Sequence, residues 1–588
     1  MSFGGKSKRD FDYESALADY TSAGAPSKED SPYGNSFSSR PAKKRHMQSS
    51  STFSSPSSSS SLSAFLQEKL GYYQQHVEIL NQQFKDLIND NKNGDPDKVA
   101  MITAEYLRIL KDIQALYHRP TGELMAMGSD DCCALGISLS NDDEKDGEYP
   151  PTFSRNLPHN MIQVEAGGLH SVALTEDGRV FTFGQNDDNA LGRVMEEDAI
   201  HLAGEVVSLP PSAQGRIVMI AAGDNHSLFL DIDGQVYMCG MYKDIDSGKF
   251  ANVKPGEKLH NGTSQPFPIR IPFPQPVRKI VAGHSSNAAI LADDSLYTWG
   301  MGHFGELGRS RSMGAPVIRN PDGHATYDLG KKFIGEEYTE MKLNKEGKME
   351  PVTNYRYHTD LILQKFLTPQ PVEWKIPGKY TVLDVAVGEL HMIVVARNQE
   401  GLTGVYSTGH NQYGQLGLGD QLQRHELTPV KALDGEVIVQ VAAGSSHSLF
   451  RNALGTAVFA CGRIDYGQLG LLETKEKEAG GFRSTPEQVA FPDETANVRI
   501  ADISAGANHS MAVFDNGDVY SWGFNVYGQT GHPVKEINGS EDIERPKKLN
   551  PLRYYKKKGL NAEGTCGTVS DMSCGGQHSL MVVQRYLE

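Results

Sequence analysis

Residues 164–193 read VEAGGLHSVALTEDGRVFTFGQNDDNALGR, and this stretch decides the fold. It opens with Gly167-Gly168-Leu169-His170. Two short apolar runs follow, joined by Glu176-Asp177-Gly178, and a nine-residue segment then runs from Gly184 to Gly192. Asp-Gly between two alternating apolar runs is a hairpin signal. Glycines on both sides permit tight turns and positive φ, which β-branched residues tolerate poorly.

The same two patterns recur down the chain, and repeats outrank every other sequence signal. Gly-x-x-His occurs at Gly167/His170, Gly223/His226, Gly388/His391, Gly444/His447, Gly506/His509 and Gly575/His578. A further copy, Gly283-His284-Ser285-Ser286, has Ser286 where the histidine should stand. The Gly-to-Gly segment begins at Gly128, Gly184, Gly240, Gly300, Gly409, Gly462 and Gly523, with GHNQYGQLG, GRIDYGQLG and GMGHFGELG its clearest forms. Hairpins of the same kind lie between the patterns, as in LFLDIDGQVYMCG and MAVFDNGDVYSWG.

Successive Gly-x-x-His sites lie 56, 60, 105, 56, 62 and 69 residues apart, and the long step holds an insertion at about 309–368. Four short strands per unit at this spacing suit a β-propeller blade. The first Gly-to-Gly segment has no Gly-x-x-His before it, and the last Gly-x-x-His has no Gly-to-Gly segment after it. Each terminus therefore supplies half a blade. The expectation over residues 119–588 is an all-β, seven-bladed propeller closed by both termini, a closure that removes exposed sheet edges. A histidine placed once per unit most simply ties neighbouring units together. Metal ligands must converge, and positions spread around a ring do not.

Two segments precede the repeats. Residues 1–61 are rich in serine and read as a disordered tail, with too little apolar surface to offset ordering. The tail carries two basic clusters, Lys6, Lys8 and Arg9, then Lys43, Lys44 and Arg45. These suit nuclear import or phosphate contact, and a solvated tail with scattered cations is the other reading. In residues 62–118, Leu66, Leu70, Tyr73, Val77, Leu80, Phe84 and Leu87 step by three and four. Asn93-Gly94-Asp95-Pro96 breaks that stripe, and Val99, Ile102, Tyr106, Ile109, Ile113 and Leu116 resume it. This predicts an α-helical hairpin. It either packs on itself or on the next domain, or serves to dimerise or dock a partner.

Composition excludes several classes. The 588 residues hold 57 Lys+Arg against 73 Asp+Glu, a net charge of −16. Bulk charge of that sign does not coat nucleic acid, so any DNA contact needs a local basic patch. Mean hydropathy is −0.44 and no apolar run approaches a membrane span. The N-terminus lacks the apolar core of a secretory signal. Six cysteines without a CxxC suit a reduced, intracellular chain. No G-x-x-x-x-G-K-[ST], H-E-x-x-H or G-x-S-x-G is present, so neither NTPase nor hydrolase chemistry has motif support.

Both half-patterns, recurring in phase, resemble the regulator-of-chromosome-condensation propeller family over about residues 121–588. The chain looks close to the branch of chromatin-bound guanine-nucleotide exchange factors for the small GTPase Ran. Residues 164–193 are similar to an early blade of that branch. GMYKDIDSG, from Gly240 to Gly248, lacks the usual Leu-Gly ending, as where that branch extends a wedge against Ran. The closing SCGGQHSL and the basic tail also fit, whereas the helical hairpin lies outside the pattern.

The resemblance implies where function lies. The Gly-x-x-His loops would line the Ran-binding face, and the exchange-linked positions fall on Asp131, Asp224, Ser285, Ser446 and His578. Ser285 replaces an Asp and Ser446 a His. Tyr242, Lys243 and Asp244 would form the wedge. Chromatin, meaning histones and DNA, would be reached through the basic clusters of the tail and through Arg309, Arg311 and Arg319 of the insertion. No cofactor, metal, membrane or small-molecule substrate is expected, and the location expected is the nucleus. Ordinary turn chemistry for the two aspartates, a structural role for His578 and a tolerated loop variation for the wedge are the alternatives. Ser285 and Ser446 favour a second overall reading, an interaction scaffold of the same fold without exchange activity.

Overall fold

The computed structural model describes residues 120–584 apart from 131, 138–147, 155–156, 194–203, 207, 242–263, 303, 310–316, 320–324, 328–333, 344–348, 358–366, 400–401, 472–480, 534–541 and 550–567. The tail of 1–61 and the helical hairpin of 62–118 lie outside the described residues.

Seven four-stranded antiparallel sheets form the blades. Blade 1 runs from its inner strand Met161–Ala166 through His170–Thr175 and Val180–Gly184 to the outer Gly204–Glu205. Blades 2 to 6 repeat this order over 217–271, 277–371, 381–429, 438–488 and 500–549. Blade 7 is composite. Its inner strands are Val569–Cys574 and His578–Val583, and its outer strands are Glu123–Ser129 and Glu148–Phe153. The two chain ends thus supply half a blade each, as the offset repeats imply.

One pairing joins the two sequence patterns. In each of the seven blades the histidine position pairs with the first glycine of the Gly-to-Gly segment, as in His170 with Gly184 and His578 with Gly128. These opening glycines have φ between +99° and +118°. A Cβ there would strike a carbonyl of the Gly-x-x-His loop, that of Leu169 in the case of Gly184. Only glycine fits both constraints. The inner strand of every blade also carries a register shift within two residues of its start, as between Met161 and Gln163. Such a bulge bends the strand and turns a polar side chain towards the neighbouring blade. Asp571 accepts from Val164 N at 2.8 Å, and Asp384 accepts from Val441 N at 3.0 Å.

The core is divided as the blades are. Seven apolar clusters lie between successive sheets, for example Val172, Leu174, Ile220 and Phe229 between blades 1 and 2. Leu124, Ala126, Leu580 and Val582 of blade 7 pack against Val164 and Ala173 of blade 1, so closure is apolar as well as hydrogen-bonded. The insertion leaves blade 3 between Leu296–Gly300 and Gln370–Pro371. It holds two hairpins, Val317–Arg319 with Ala325–Tyr327 and Ile334–Leu343 with Met349–Tyr357. Among the described residues there is no α-helix, and no helix long and apolar enough to cross a membrane.

Candidate functional site

The residue after each repeat glycine lies in a closed ring. The backbone N–H groups of Gly168, Asp224, His284, Glu389, Ser445, Ala507 and Gly576 each donate to a carbonyl of the next blade, at 3.0–3.4 Å. The propeller axis is therefore encircled at this face by a girdle of main-chain hydrogen bonds. Ionisable side chains on the girdle fall on consecutive blades 2, 3 and 4, as Asp224, His284 and Glu389. The Asp224 carboxylate lies 3.4 Å from His284 Nδ1 and leans over Gly168, where a side chain would strike it. Burial raises the Asp224 pKa, His284 opposes that rise, and Glu389 adds to it. Asp188, on the Gly-to-Gly segment of blade 1, is raised too, by burial first and then by Asp187 and Asp224. The arrangement is a half-buried acidic cluster with one exposed imidazole beside it. It is suited to accept a cationic group from a partner.

The repeat histidines do something else. Each points into the seam with the following blade. His170 Nε2 meets Ser227 Oγ at 3.0 Å, His226 meets Asn287 Oδ1 at 2.7 Å, and His391 meets Ser448 at 2.9 Å. His447, His509 and His578 meet Ser510, Ser579 and Ser171 at 3.0, 2.7 and 2.8 Å. The serines are spent as donors on carbonyls, Ser171 on Ala134 O at 2.6 Å and Ser579 on Gln529 O at 2.8 Å. The imidazole must then donate through Nε2. Burial holds all six rings far below their ordinary pKa, at about 3 to 4, so they are neutral at physiological pH. One seam lacks the bond. Between blades 3 and 4 the equivalent positions are Ser286 and Met392, and Ser286 Oγ is buried without a hydrogen-bond partner.

These observations locate the residues singled out by sequence. Asp224 sits in the girdle. Ser285 and Ser446 are half-buried on Gly-x-x-His loops of blades 3 and 5, at the same face. His578 is fully buried and bonded to Ser171, which gives it the structural role. Asp131, Tyr242, Lys243 and Asp244 lie outside the described residues, as do Lys6, Lys8, Arg9, Lys43, Lys44, Arg45 and Arg311. For Arg319 only its place in a strand is described. Arg309 is a correction. It is 1% exposed, with Nη1 3.4 Å from Thr368 O, so it packs inside the propeller and is not available to DNA or histones. His284 and Glu389 were not singled out. Their signal was present, because both occupy the column that Asp224 occupies in the repeat. Among the described residues no three His, Cys, Asp or Glu side chains are grouped to hold a metal.

A closed ring of seven such repeats, joined at six of its seven seams by a buried histidine and bearing ionisable side chains at the axis of its loop face, defines a β-propeller of one repeat class. The chain matches the RCC1-like domain family over residues 123–581 and belongs to it. It is 26% identical over 469 residues to the regulator of chromosome condensation of Xenopus laevis, covering 79% of this chain and 90% of that protein. It is also 25% identical over 491 residues to the ultraviolet-B receptor UVR8 of Arabidopsis thaliana, covering 82% and 88%. The crystal structure of Prp20p from Saccharomyces cerevisiae, a protein described with binding properties to Gsp1p and histones, superposes with a TM-score of 0.59. It is 22% identical and covers 81% of this chain and 95% of its own. The family thus includes members of quite different function, and the fold alone does not select among them.

Proposed function

We propose that this protein is a guanine-nucleotide exchange factor for the small GTPase Ran that acts on chromatin in the nucleus. It is not an enzyme of covalent chemistry. It binds the nucleotide-free GTPase more tightly than the loaded forms, and that difference drives nucleotide release. The observation that carries the reading is the cluster of Asp224, His284 and Glu389 at the centre of the loop face. An acidic centre of this kind draws a basic group of the GTPase away from the nucleotide phosphates it would otherwise hold. Asp131 and the wedge residues Tyr242, Lys243 and Asp244 extend the contact. Lys6, Lys8, Arg9, Lys43, Lys44 and Arg45 reach DNA phosphates and acidic histone surfaces. Similarity to the regulator of chromosome condensation supports this reading.

The test is release of a fluorescent GDP analogue from Ran, with the protein at catalytic amounts. Acceleration is expected, and Asp224→Ala and Lys243→Ala are each expected to reduce it by tenfold or more. A second reading, a propeller scaffold without exchange activity, is favoured by Ser285 and Ser446 standing where Asp and His are expected. Tight binding of Ran without accelerated release would establish the scaffold. Absence of both would remove Ran as the partner.

A further inference from the structure

The loop face carries a second feature beyond the axial acids. The residue after each opening glycine donates its N–H to the Gly-x-x-His loop of its own blade, as Arg463 does to Ser446 O at 2.9 Å. The Gly-to-Gly segments therefore start at the same face. Their fifth positions divide into two arcs. In blades 3 to 6 they are aromatic, namely Phe304, Tyr413, Tyr466 and Tyr527. In blades 7 and 1 they are Cys132 and Asp188, and Asp187 stands beside Asp188, so the described part of the second arc is acidic.

The aromatic arc is continuous across blade seams. Phe304 meets the ring of His410 in the next blade at 5.2 Å, edge to face. The Arg463 guanidinium sits between the rings of Tyr413 and Tyr466, at 5.1 and 5.0 Å. It is paired with Asp465 at 2.7 Å, so its charge is already met. Tyr466 meets Phe524 at 4.9 Å, and Phe524 meets Tyr527 at 6.1 Å. The rings of Tyr413, Tyr466 and Tyr527 are half-buried, and their hydroxyls have no hydrogen-bond partner among the described residues. Three tyrosines elsewhere in the blades have their hydroxyls engaged. Tyr237, Tyr380 and Tyr520 bond their hydroxyls to Asp231, Ile376 O and Glu494. Tyrosines, with an apolar ring and a polar hydroxyl, are enriched at protein interfaces.

We infer that the arc of Tyr413, Tyr466 and Tyr527 is the anchoring half of a docking surface for a folded protein, and that the acidic arc on the same face is its steering half. The partner presents an apolar ridge beside a basic patch. Single-stranded nucleic acid would also stack on such rings. It is disfavoured here because Asp187, Asp188, Asp224 and Glu389 share the face and repel phosphate. The inference rests on the proposed function, under which the partner is Ran, and assigns the two arcs different jobs. Rigid, prefixed rings slow dissociation, whereas charges outside the contact centre chiefly change the association rate and its salt dependence.

The experiment is surface-plasmon-resonance binding of nucleotide-free Ran to the full chain at several salt concentrations. Tyr413→Ala/Tyr466→Ala/Tyr527→Ala is expected to raise the dissociation rate about 30-fold or more, with the salt slope unchanged. Asp187→Asn/Asp188→Asn is expected to lower the association rate and flatten the salt slope. If the triple alanine protein has a lowered melting temperature, the triple phenylalanine variant replaces it. That variant keeps the ladder, and because it loses three hydroxyl contacts its dissociation is expected to be about tenfold faster. Normal dissociation from both Tyr variants, with wild-type binding intact, overturns the arc and leaves the exchange reading standing. No binding by the wild-type chain overturns both. Tight binding of a single-stranded oligonucleotide that the tyrosine variants lose overturns the choice of a protein partner.

Discussion

His578 and Ser171 are 407 residues apart in the chain, and their Nε2 and Oγ atoms are 2.8 Å apart in the fold. The contact joins the last strand of the composite blade to the first complete blade. Ser171 also donates to Ala134 O at 2.6 Å, on the Gly-to-Gly segment contributed by the other chain end. One hydroxyl therefore clamps both halves of blade 7 to blade 1. Replacing it leaves an imidazole N–H and a carbonyl buried without partners, a cost of about 1–3 kcal/mol for each. Ser171→Ala is expected to lower stability by roughly 2–6 kcal/mol on that basis. Urea unfolding checks this. A change within about 0.5 kcal/mol, the range of an ordinary surface substitution, would remove the clamp from the account.

The six seam histidines make stability fall in mild acid. Their folded pKa values, about 3 to 4, lie below the ordinary value of 6.5. Between those limits the unfolded chain binds the protons and the folded chain does not. Stability is therefore fully present above about pH 6.5 and falls as pH drops towards 4. The limiting slope is about 1.4 kcal/mol per pH unit for each ring. Unfolding midpoints measured from pH 7.5 to 5 should fall steeply. His170→Gln, whose amide can still donate to Ser227, should make the fall shallower by one proton. A flat profile would mean that the rings are not held neutral.

Blades 3 and 4 meet without this bond, and both missing partners are at the same seam. Ser286→His alone places an imidazole against Met392 and should destabilise the protein by about 1–3 kcal/mol, as an unsatisfied buried polar group does. Gly283 is already in place beneath it. Adding Met392→Ser should recover most of that loss. A double-mutant cycle on unfolding free energies reads the coupling, expected at about 1 kcal/mol or more. Strictly additive effects would show that the two positions do not face each other across the seam.

His284 opposes the upward shift of Asp224. Removing it should raise the Asp224 pKa further, since burial and Glu389 then act unopposed. In nucleotide-release assays His284→Ala should move the acidic limb of the pH profile to higher pH, and His284→Lys should move it back. An unchanged profile in both would mean that Asp224 does not govern exchange.

The repeat architecture was fully legible in the amino-acid sequence. The Gly-x-x-His and Gly-to-Gly patterns count the blades, and their half-unit offset implies closure through both termini. These signals are local. Each rests on a turn that needs glycine, an alternation that needs one apolar face, or a spacing that fits four strands. The axial cluster was only partly legible. Asp224 stood out through a resemblance, while His284 and Glu389 passed as variable residues of a loop. They become neighbours of Asp224 only because the girdle closes, and a column in a repeat says nothing of distance until the ring has a radius. The same limit applied to His578 and Arg309. The repeat pattern already favoured a seam for the histidines, while the resemblance set His578 at the partner face, and nothing in the sequence distinguished a buried arginine from an exposed one at Arg309. The tertiary structure decided both, because burial depends on which blade lies next door, and the pairing of Glu123 with Val583 that builds blade 7 spans the whole length of the propeller.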